Sequence, residues 1–342
     1  MCKEINILGI ETSCDETAAA VVCNGREIKS SVVASQNKLH ERFGGVVPEI
    51  ASRAHIEKIY QVVAHAIDDA NVSEETIDAI AVANQPGLVI SLIVGVTAAK
   101  TLSMVWNKPL IAVNHVHAHL QSAMLTEDNL ELPSAAIVVS GGHTSLYDCE
   151  SAIELKLMGS TIDDAAGEAF DKVATILNLP YPGGPSIEKA AKEGNPDAID
   201  FPRSMLDKDS LDFSFSGIKT AVLYYCRGQN MKGENKVDSM SKKEIADIAA
   251  SFQKAVVDVL VAKTKRAAEK IEAKTVLLGG GVAANSALRE ELEKMCQSTN
   301  RKLLIAPKPL CTDNAVMVAS LAYHKFKAGD FADISLEPKS SA

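Results

Sequence analysis

Two segments of this chain open in the same way. Residues 5–11 form an apolar run with β-branched members, residues 12–17 a polar turn carrying Asp15 and Glu16, and residues 18–23 a second apolar run ended by Asn24-Gly25. About 130 residues later, 135–139, 140–144 and 145–149 repeat the order of apolar strand, tight polar turn, strand. Short apolar runs bounded by turn residues read as strands, so each segment predicts a hairpin with a polar tip. A repeated hairpin opening constrains the fold more than composition does. It predicts a duplicated α/β domain, each half led by a hairpin.

The intervening pattern fits that plan. Residues 48–70 carry helical apolar spacing at Ile50, Ile56, Ile59, Val63 and Ile67, followed by a strand at 78–83, a helix at 88–106, and a strand at 110–113 leading into a helix at 115–125. Later come a strand at 274–278, Gly279-Gly280-Gly281, a helix at 283–296, a strand at 303–306 and a helix at 312–327. Residues 161–274 read as mostly helical, interrupted by Pro-, Gly- and Ser-rich loops at 181–186, 194–216 and 228–241. Alternating strands and helices indicate an α/β fold. The polar and glycine turns fall at strand carboxyl ends, where ligands gather in such folds. The expected halves are 1–130 and 131–330, the second with a helical insertion around 161–274, and an interdomain cleft between them.

Length and composition set limits. At roughly 150 residues per domain, 342 residues suit two domains or one duplication, and 46% hydrophobic residues are ample for a core. Aromatics are only 4%, with Trp106 alone of its kind, which disfavours a platform that stacks many bases. Acidic residues outnumber basic ones 44 to 35, a formal charge of -9. Taken alone, that argues against a general polyanion binder; a nucleic-acid partner would need a local basic patch or a helper subunit. Lys38, Arg42 and Arg53 are candidates for such a patch, though each also reads as an ordinary solvated cation. Cys2, Cys14, Cys23, Cys149, Cys226, Cys296 and Cys311 are odd in number and hold no C-x-x-C. This speaks for a reducing compartment, against a disulfide scaffold and against a cysteine zinc site. The start has no signal-like apolar region. The longest apolar stretch, 87–99, falls short of the roughly 20 residues needed to span a bilayer. The expectation is a cytoplasmic protein with no membrane partner.

Three constellations could carry chemistry. His115 and His119 are four apart, hence on one helix face, and could grip one metal ion while His117 points elsewhere. They read equally as two histidines near a strand end. A third ligand would be a carboxylate, and Asp313, after a strand and before a helix, is the candidate; alone it reads first as a helix cap. Two His and one carboxylate suit iron(II) or zinc. The glutamate of H-E-x-x-H is missing, with Val116 after His115, which weighs against a zinc peptidase. Second, the turns Ser140-Gly141-Gly142, Pro182-Gly183-Gly184-Pro185 and Gly279-Gly280-Gly281 let backbone N–H groups approach a phosphate or carboxylate. Neither G-x-G-x-x-G nor a P-loop is present. Third, Asp164, Glu168 and Asp171 share a helix face. They read as a solvated N-terminus or as hydroxyl-binding or catalytic carboxylates.

Taken together, Gly9-Ile-Glu-Thr-Ser-Cys-Asp-Glu-Thr17, Phe43-Gly-Gly-Val-Val-Pro-Glu49, Asn114-His-Val-His-Ala-His119, Val139-Ser-Gly-Gly-His-Thr144 and Asp163-Asp-Ala-Ala-Gly-Glu-Ala-Phe-Asp-Lys172 form a series. It continues with Tyr181-Pro-Gly-Gly-Pro185, Asp212-Phe-Ser-Phe-Ser-Gly217, Gly279-Gly-Gly-Val-Ala-Ala-Asn285 and Thr312-Asp-Asn314. This series resembles the TsaD family of bacterial tRNA threonylcarbamoyladenosine transferases, in the family's order from about residue 5 to 325.

The resemblance implies the actin-like ATPase (ASKHA) fold. It also implies transfer of a threonylcarbamoyl group from threonylcarbamoyl-AMP to the exocyclic amine of the adenosine 3′ of the anticodon, in tRNAs reading codons that start with A. His115, His119 and Asp313 match the family's metal ligands, for one divalent ion per chain, iron(II) ahead of zinc. Val138, Val139, Ser140, Gly141 and Gly142, with Asp171, Gly184 and Asn285, match adenylate-binding positions, and Glu188 another substrate position; ATP or AMP is expected to bind there too. Asp15 lies where the fold places a catalytic or phosphate-facing carboxylate. The implied partners are tRNA, a TsaB-like pairing subunit, a TsaE-like ATPase and a separate synthase that supplies the adenylate. Two other readings stand beside it: a metallopeptidase, and a non-catalytic nucleotide-binding scaffold of the same fold, which would be expected to lose the metal residues.

Overall fold

The computed structural model describes residues 4–127, 130–204, 209–228 and 236–341. Cys2 and the 229–235 part of the expected loop at 228–241 lie outside them. The chain divides into two compact units. The first comprises Met1–Thr126, Ser151–Glu154 and Ala306–Ala342, and the second Glu127–Glu150 and Leu155–Ile305.

The first unit runs β1 (Asn6–Glu11), β2 (Glu16–Cys23), β3 (Glu27–Ser35), α1 (Asn37–His40), α2 (Pro48–Asp69), β4 (Ala79–Gln85), α3 (Val89–Trp106), β5 (Leu110–Asn114) and α4 (His115–Met124). Its sheet has the order β3-β2-β1-β4-β5. The first three strands are antiparallel neighbours, and β4 and β5 add in parallel. The second unit runs β6 (Ser134–Val139), β7 (Thr144–Cys149), β8 (Leu155–Ser160), α5 (Ala166–Ile176), α6 (Gly183–Ala191), α7 (Ser216–Arg227), α8 (Lys242–Lys270), β9 (Thr275–Gly279), α9 (Ser286–Ser298) and β10 (Lys302–Ile305). Its sheet order, β8-β7-β6-β9-β10, repeats the first sheet strand for strand. The duplication read from the two hairpins is therefore present in full topology.

Each hairpin carries a third antiparallel strand that sequence reading did not anticipate. β3 and β8 are edge strands that carry exposed residues along one side. One wet face admits Glu27, Lys29 and Lys156, so no continuous apolar run marks them.

The expected second half, 131–330, also needs correction at its end. The last helix, α10 (Ala315–Ala328), belongs to the first unit. Val316, Met317, Val318 and Leu321 pack on Ile7, Ala18, Ala20, Val22, Ile111 and Val113 of the first sheet. The first half of α10 is buried on nearly every side, so it needs a sheet face to cover it. Gly9 lets it come close: a Cβ there would stand 2.5 Å from the Ala315 carbonyl and 2.8 Å from the Ala319 nitrogen. On the other face of the same sheet, Leu8, Ile10, Ala19 and Val21 pack with Val62 and Ala66 of α2 and Val96 and Ala99 of α3.

Helix α3 is longer than the apolar stretch seen at 87–99. Over 18 residues its mean hydropathy is 1.7, enough by length and composition alone to cross a membrane. Leu92, Val96 and Ala99 are nonetheless buried in the protein, and Gly95 lies against Thr12.

Candidate active site

The metal candidates are assembled by two helix starts in the first unit. β5 ends at Asn114, whose side-chain carbonyl accepts from the N–H groups of Val116 (2.9 Å) and His117 (3.1 Å). That cap makes His115 the first residue of α4 and sets His119 one turn on. At α10 the cap is Asn314, whose Oδ1 accepts from Met317 N–H at 3.0 Å. Asp313 is thus released from the capping role that its position suggested. Its Oδ1 lies 3.2 Å from His119 Nε2 and 3.5 Å from His115 Nε2. One ligand atom from each of the three side chains falls within 4.8 Å of the others.

His119 is fully buried, and among the described residues neither of its ring nitrogens makes a hydrogen bond. Buried polar atoms without partners are rare and costly. Two imidazoles and a carboxylate are a donor set for a divalent ion, so these residues fit the group that the resemblance implies. His117 is separate: burial and the nearby Lys325 ammonium push its pKa down to about 4.

Sequence reading missed the residue that orients His115. Glu11, fully buried at the end of β1, places Oε2 3.0 Å from His115 Nδ1. Ser13 Oγ lies 3.1 Å from the same nitrogen, and Ser13 N–H donates to Glu11 Oε1 at 2.5 Å. The available signal was an ionisable residue closing an otherwise apolar strand. Burial alone would push the His115 pKa down; Asp313 and Glu11 together outweigh it and hold it up to about 9. Carboxylates that hold a proton on this ring would also favour a cation beside it. Glu11→Gln is expected to weaken metal binding about 10- to 100-fold, the usual effect of losing an outer partner of a ligating histidine. Competition with a chelator measures it, and unchanged affinity would remove Glu11 from the site.

Asp15 sits at the tip of the β1–β2 hairpin and is 8% exposed. The tip backbone is held: Leu88 N–H donates to the Ser13 carbonyl at 2.8 Å, and Gln36 N–H to the Asp15 carbonyl at 3.0 Å. Burial, with Asp15 and Asp313 beside it, pushes the Glu16 carboxyl up to about 10, and the same causes raise the Cys14 thiol. Glu16 and the Cys14 thiol therefore feel the charge of Asp313.

The remaining candidates belong to the second unit. Val138 and Val139 end β6, and the turn Ser140–Gly142 closes on itself. Ser140 N–H donates to the His143 carbonyl (2.8 Å), and His143 N–H to Ser140 Oγ (3.1 Å). Gly141 and Gly142 are exposed, with open space where a side chain would stand. Two other glycines wedge this turn in place. A Cβ on Gly167, in the first turn of α5, would lie 2.5 Å from the Ser140 carbonyl, and one on Gly280 (φ +93°) 2.4 Å from that of Val139.

Asp171 Oδ1 accepts from Gly183 N–H (2.7 Å) at the start of α6, where Gly184 is open to space. Glu188 Oε1 accepts from Ser286 N–H (3.1 Å) at the start of α9. Asn285 caps α9 through Leu288 N–H (3.0 Å) and donates Nδ2 to Gln253 Oε1 (2.8 Å). Val138–Gly142, Asp171, Gly184, Glu188 and Asn285 thus lie along linked contacts among the starts of α5, α6 and α9. Helix N-termini and open glycines are where a phosphate or carboxylate is held.

The acidic residues before and within α5 resolve otherwise. Asp164 pairs with Lys172 and Lys219 and Glu168 with Lys172, each at 2.8 Å, while Asp163 accepts from Phe215 N–H at 2.8 Å before α7. Only Asp171 of this set reaches the glycine turns.

Known proteins match this chain along almost all of it. The family model for TsaD, tRNA N6-adenosine threonylcarbamoyltransferase, matches residues 27–320. A tRNA N6-adenosine threonylcarbamoyltransferase of Moorella thermoacetica is 50% identical over 336 residues, 98% of this chain and 96% of that one. One from Clostridium botulinum is 52% identical over 329 residues, 96% and 95% of the two chains. Among solved structures, phosphate- and nucleotide-bound HypF aligns with a TM-score of 0.60 at 15% identity, over 97% of this chain and 48% of its own. Component A of the Acidaminococcus fermentans (R)-2-hydroxyglutaryl-CoA dehydratase aligns at 0.52 and 16%, over 94% and 98%. At such identity these structures bear on the fold alone, the actin-like ATPase architecture. The sequence relatives share half of this chain's residues over nearly its full length, and the chain accordingly belongs to the TsaD family of tRNA N6-adenosine threonylcarbamoyltransferases.

Proposed function

We propose that this tRNA-modifying transferase takes the threonylcarbamoyl group from threonylcarbamoyl-AMP and places it on the exocyclic amine of the adenosine 3′ of the anticodon, in tRNAs reading codons that begin with A. His115, His119 and Asp313 would hold one divalent ion, iron(II) ahead of zinc. The observation that carries this is His119, buried with two unsatisfied ring nitrogens beside a carboxylate. Bound there, the ion would supply Lewis-acid polarisation of a carbonyl or phosphoryl oxygen.

The donor is a mixed anhydride and already activated. The adenosine N6 attacks the carbonyl carbon, a C–N bond forms, the bond between that carbon and the bridging phosphate oxygen breaks, and AMP leaves with the electron pair. The amine proton passes to a carboxylate, for which Asp15 is the candidate, or to the departing phosphate. Gly141 and Gly142 are proposed to present N–H donors to oxygen as charge develops on it. Val138, Val139, Ser140, Asp171, Gly184, Glu188 and Asn285 are proposed to hold the adenylate, so that orientation lowers much of the barrier.

The proposed partners are tRNA, a TsaB-like pairing subunit, a TsaE-like ATPase and a synthase that makes the adenylate. The charge of -9 supports a helper for tRNA. Ile56 and Tyr60 on α2 with Ile90 and Ile93 on α3, all exposed on two helices that pack together, support a pairing subunit. A cytoplasmic location is proposed on Cys14, Cys23, Cys149, Cys226 and Cys296, which remain free thiols among the described residues.

The test is reconstitution. The chain, its partners, threonylcarbamoyl-AMP and unmodified tRNA should yield the modified nucleoside by mass spectrometry; no product with the full complement overturns the reading. In the same system tRNA affinity should be weak for the chain alone, rise when the pairing subunit is added, and fall steeply with salt in the complex. Anisotropy at two salt concentrations reads this. Tight, salt-insensitive binding by the isolated chain would contradict both the charge argument and the need for a partner.

A further inference from the structure

His40 and His55 are both fully buried in the first unit, and both are bonded through Gln36. The backbone N–H of Val47 can only donate, and it lies 3.3 Å from His40 Nδ1. The proton of His40 therefore sits on Nε2, which donates to Gln36 Oε1 at 3.2 Å. That orients the Gln36 amide so that Nε2 donates to the Ala51 carbonyl and to His55 Nδ1, each at 3.3 Å. His55 Nδ1 also accepts from the Thr17 hydroxyl at 2.8 Å, so the His55 proton is on Nε2, 3.0 Å from the Cys14 carbonyl that accepts it. Each assignment forces the next. Burial pushes the His55 pKa down, in keeping with a neutral ring.

One directed chain of donors thus runs from Val47 through His40, Gln36 and His55 to the hairpin tip. There the three successive carbonyls of Ser13, Cys14 and Asp15 are pinned by Leu88 N–H, His55 Nε2 and Gln36 N–H. Gln36 serves twice, by its backbone and by its side chain. The middle bond is the only one of the three made by a side chain, and it fixes the peptide that joins Cys14 to Asp15.

We infer that His55, oriented by Gln36 and His40, is a positioning residue for the transfer reaction: it holds the Cys14 carbonyl and thereby aims the Asp15 carboxylate. The inference rests on the reading of Asp15 as the reacting carboxylate. The loop before α2 becomes part of the active-site framework, although none of its side chains in this relay reaches the tip except through His55.

Two conservative variants separate positioning from folding. In His55→Asn, the side-chain oxygen can still accept from Thr17 and Gln36, but the amide is too short to reach the Cys14 carbonyl. In His55→Gln, the amide nitrogen reaches the place of Nε2. Each full-length variant is assayed with wild-type partners in the reconstituted reaction, and amide exchange is followed at Gln36 and Leu88, whose acceptors flank Cys14. His55→Asn should lower kcat about 10- to 100-fold, the scale of a small misplacement of a reacting group. KM should stay within about twofold, and exchange at both amides should speed up. His55→Gln should recover most of kcat and the slow exchange. If His55→Asn does not accumulate as folded protein, Gln36→Leu interrupts the same relay and is read in the same way.

Equal behaviour of the Asn and Gln variants, or wild-type kcat in His55→Asn, overturns the inference while Asp15→Asn is inactive. Faster exchange with full activity in both His55→Asn and Asp15→Asn would instead mark failure of the Asp15 reading.

Discussion

His115→Ala, His119→Ala and Asp313→Ala should each take bound metal well below one per chain and remove threonylcarbamoyl transfer, whereas His117→Ala should leave both near wild type. The three side chains converge within 4.8 Å, so each truncation removes a donor rather than an outer partner. The loss should therefore exceed the roughly 10- to 100-fold typical of an outer partner such as Glu11. His119→Ala is the sharpest case, because among the described residues His119 makes no hydrogen bond, and its contact with Asp313 belongs to the same ligand set. Elemental analysis of folded protein and quantitation of the modified nucleoside provide the two readouts. Equal loss in His117→Ala would overturn the assignment of His115 and His119 as the pair on one helix face.

Gly9→Val should be the most damaging single substitution away from the ligands. The new side chain would meet the backbone of α10 at Ala315 and Ala319, which cannot swing aside as a flexible side chain could. Overpacking of this kind costs about 1–3 kcal/mol, occasionally more. At roughly 2–4 °C per kcal/mol for a unit of this size, the melting temperature should fall by several degrees. Asp313 stands two residues ahead of α10, so a helix pushed outward carries its carboxylate from the histidines, and metal affinity should drop with stability. Gly45→Ala is the control, since a Cβ there meets nothing within 4 Å. Calorimetry and metal titration read the two effects. A stable Gly9→Val protein with wild-type metal affinity would show that the close approach of α10 to β1 is not what brings Asp313 into place.

Much of this site was legible because the relevant geometry is local. Four-residue spacing puts His115 and His119 on one face of any helix they share, and the strand-like run at 110–113 ahead of them marked where that helix could begin. The glycine turns at 140–142 and 183–184 announced themselves as places without side chains, and the repeated hairpin opening announced the duplication. The motif series carried the family, its fold and its activity.

Local pattern misled where a residue type has two ordinary uses. Asp313 read as a helix cap because an acid before a helix commonly is one; Asn314 makes that bond instead. Asp164 and Glu168 shared a face with Asp171, yet Lys172 and Lys219 pair with them. β3 and β8 escaped notice because an edge strand needs only half an apolar pattern.

By itself, then, the sequence determined the helix face of the two histidines, the open glycine turns, the doubled α/β plan and the family. Only the tertiary structure decided that Asp313 faces His115 and His119, that Glu11 and Ser13 orient His115, and that α10 returns to the first sheet over Gly9. It alone decided that Gln36, His40 and His55 hold the tip that bears Asp15. The physical reason is the range of the interactions. Helical spacing and turn conformation arise between residues a few positions apart, whereas hydrogen bonds between distant segments exist only after burial of apolar faces has brought strands and helices into register.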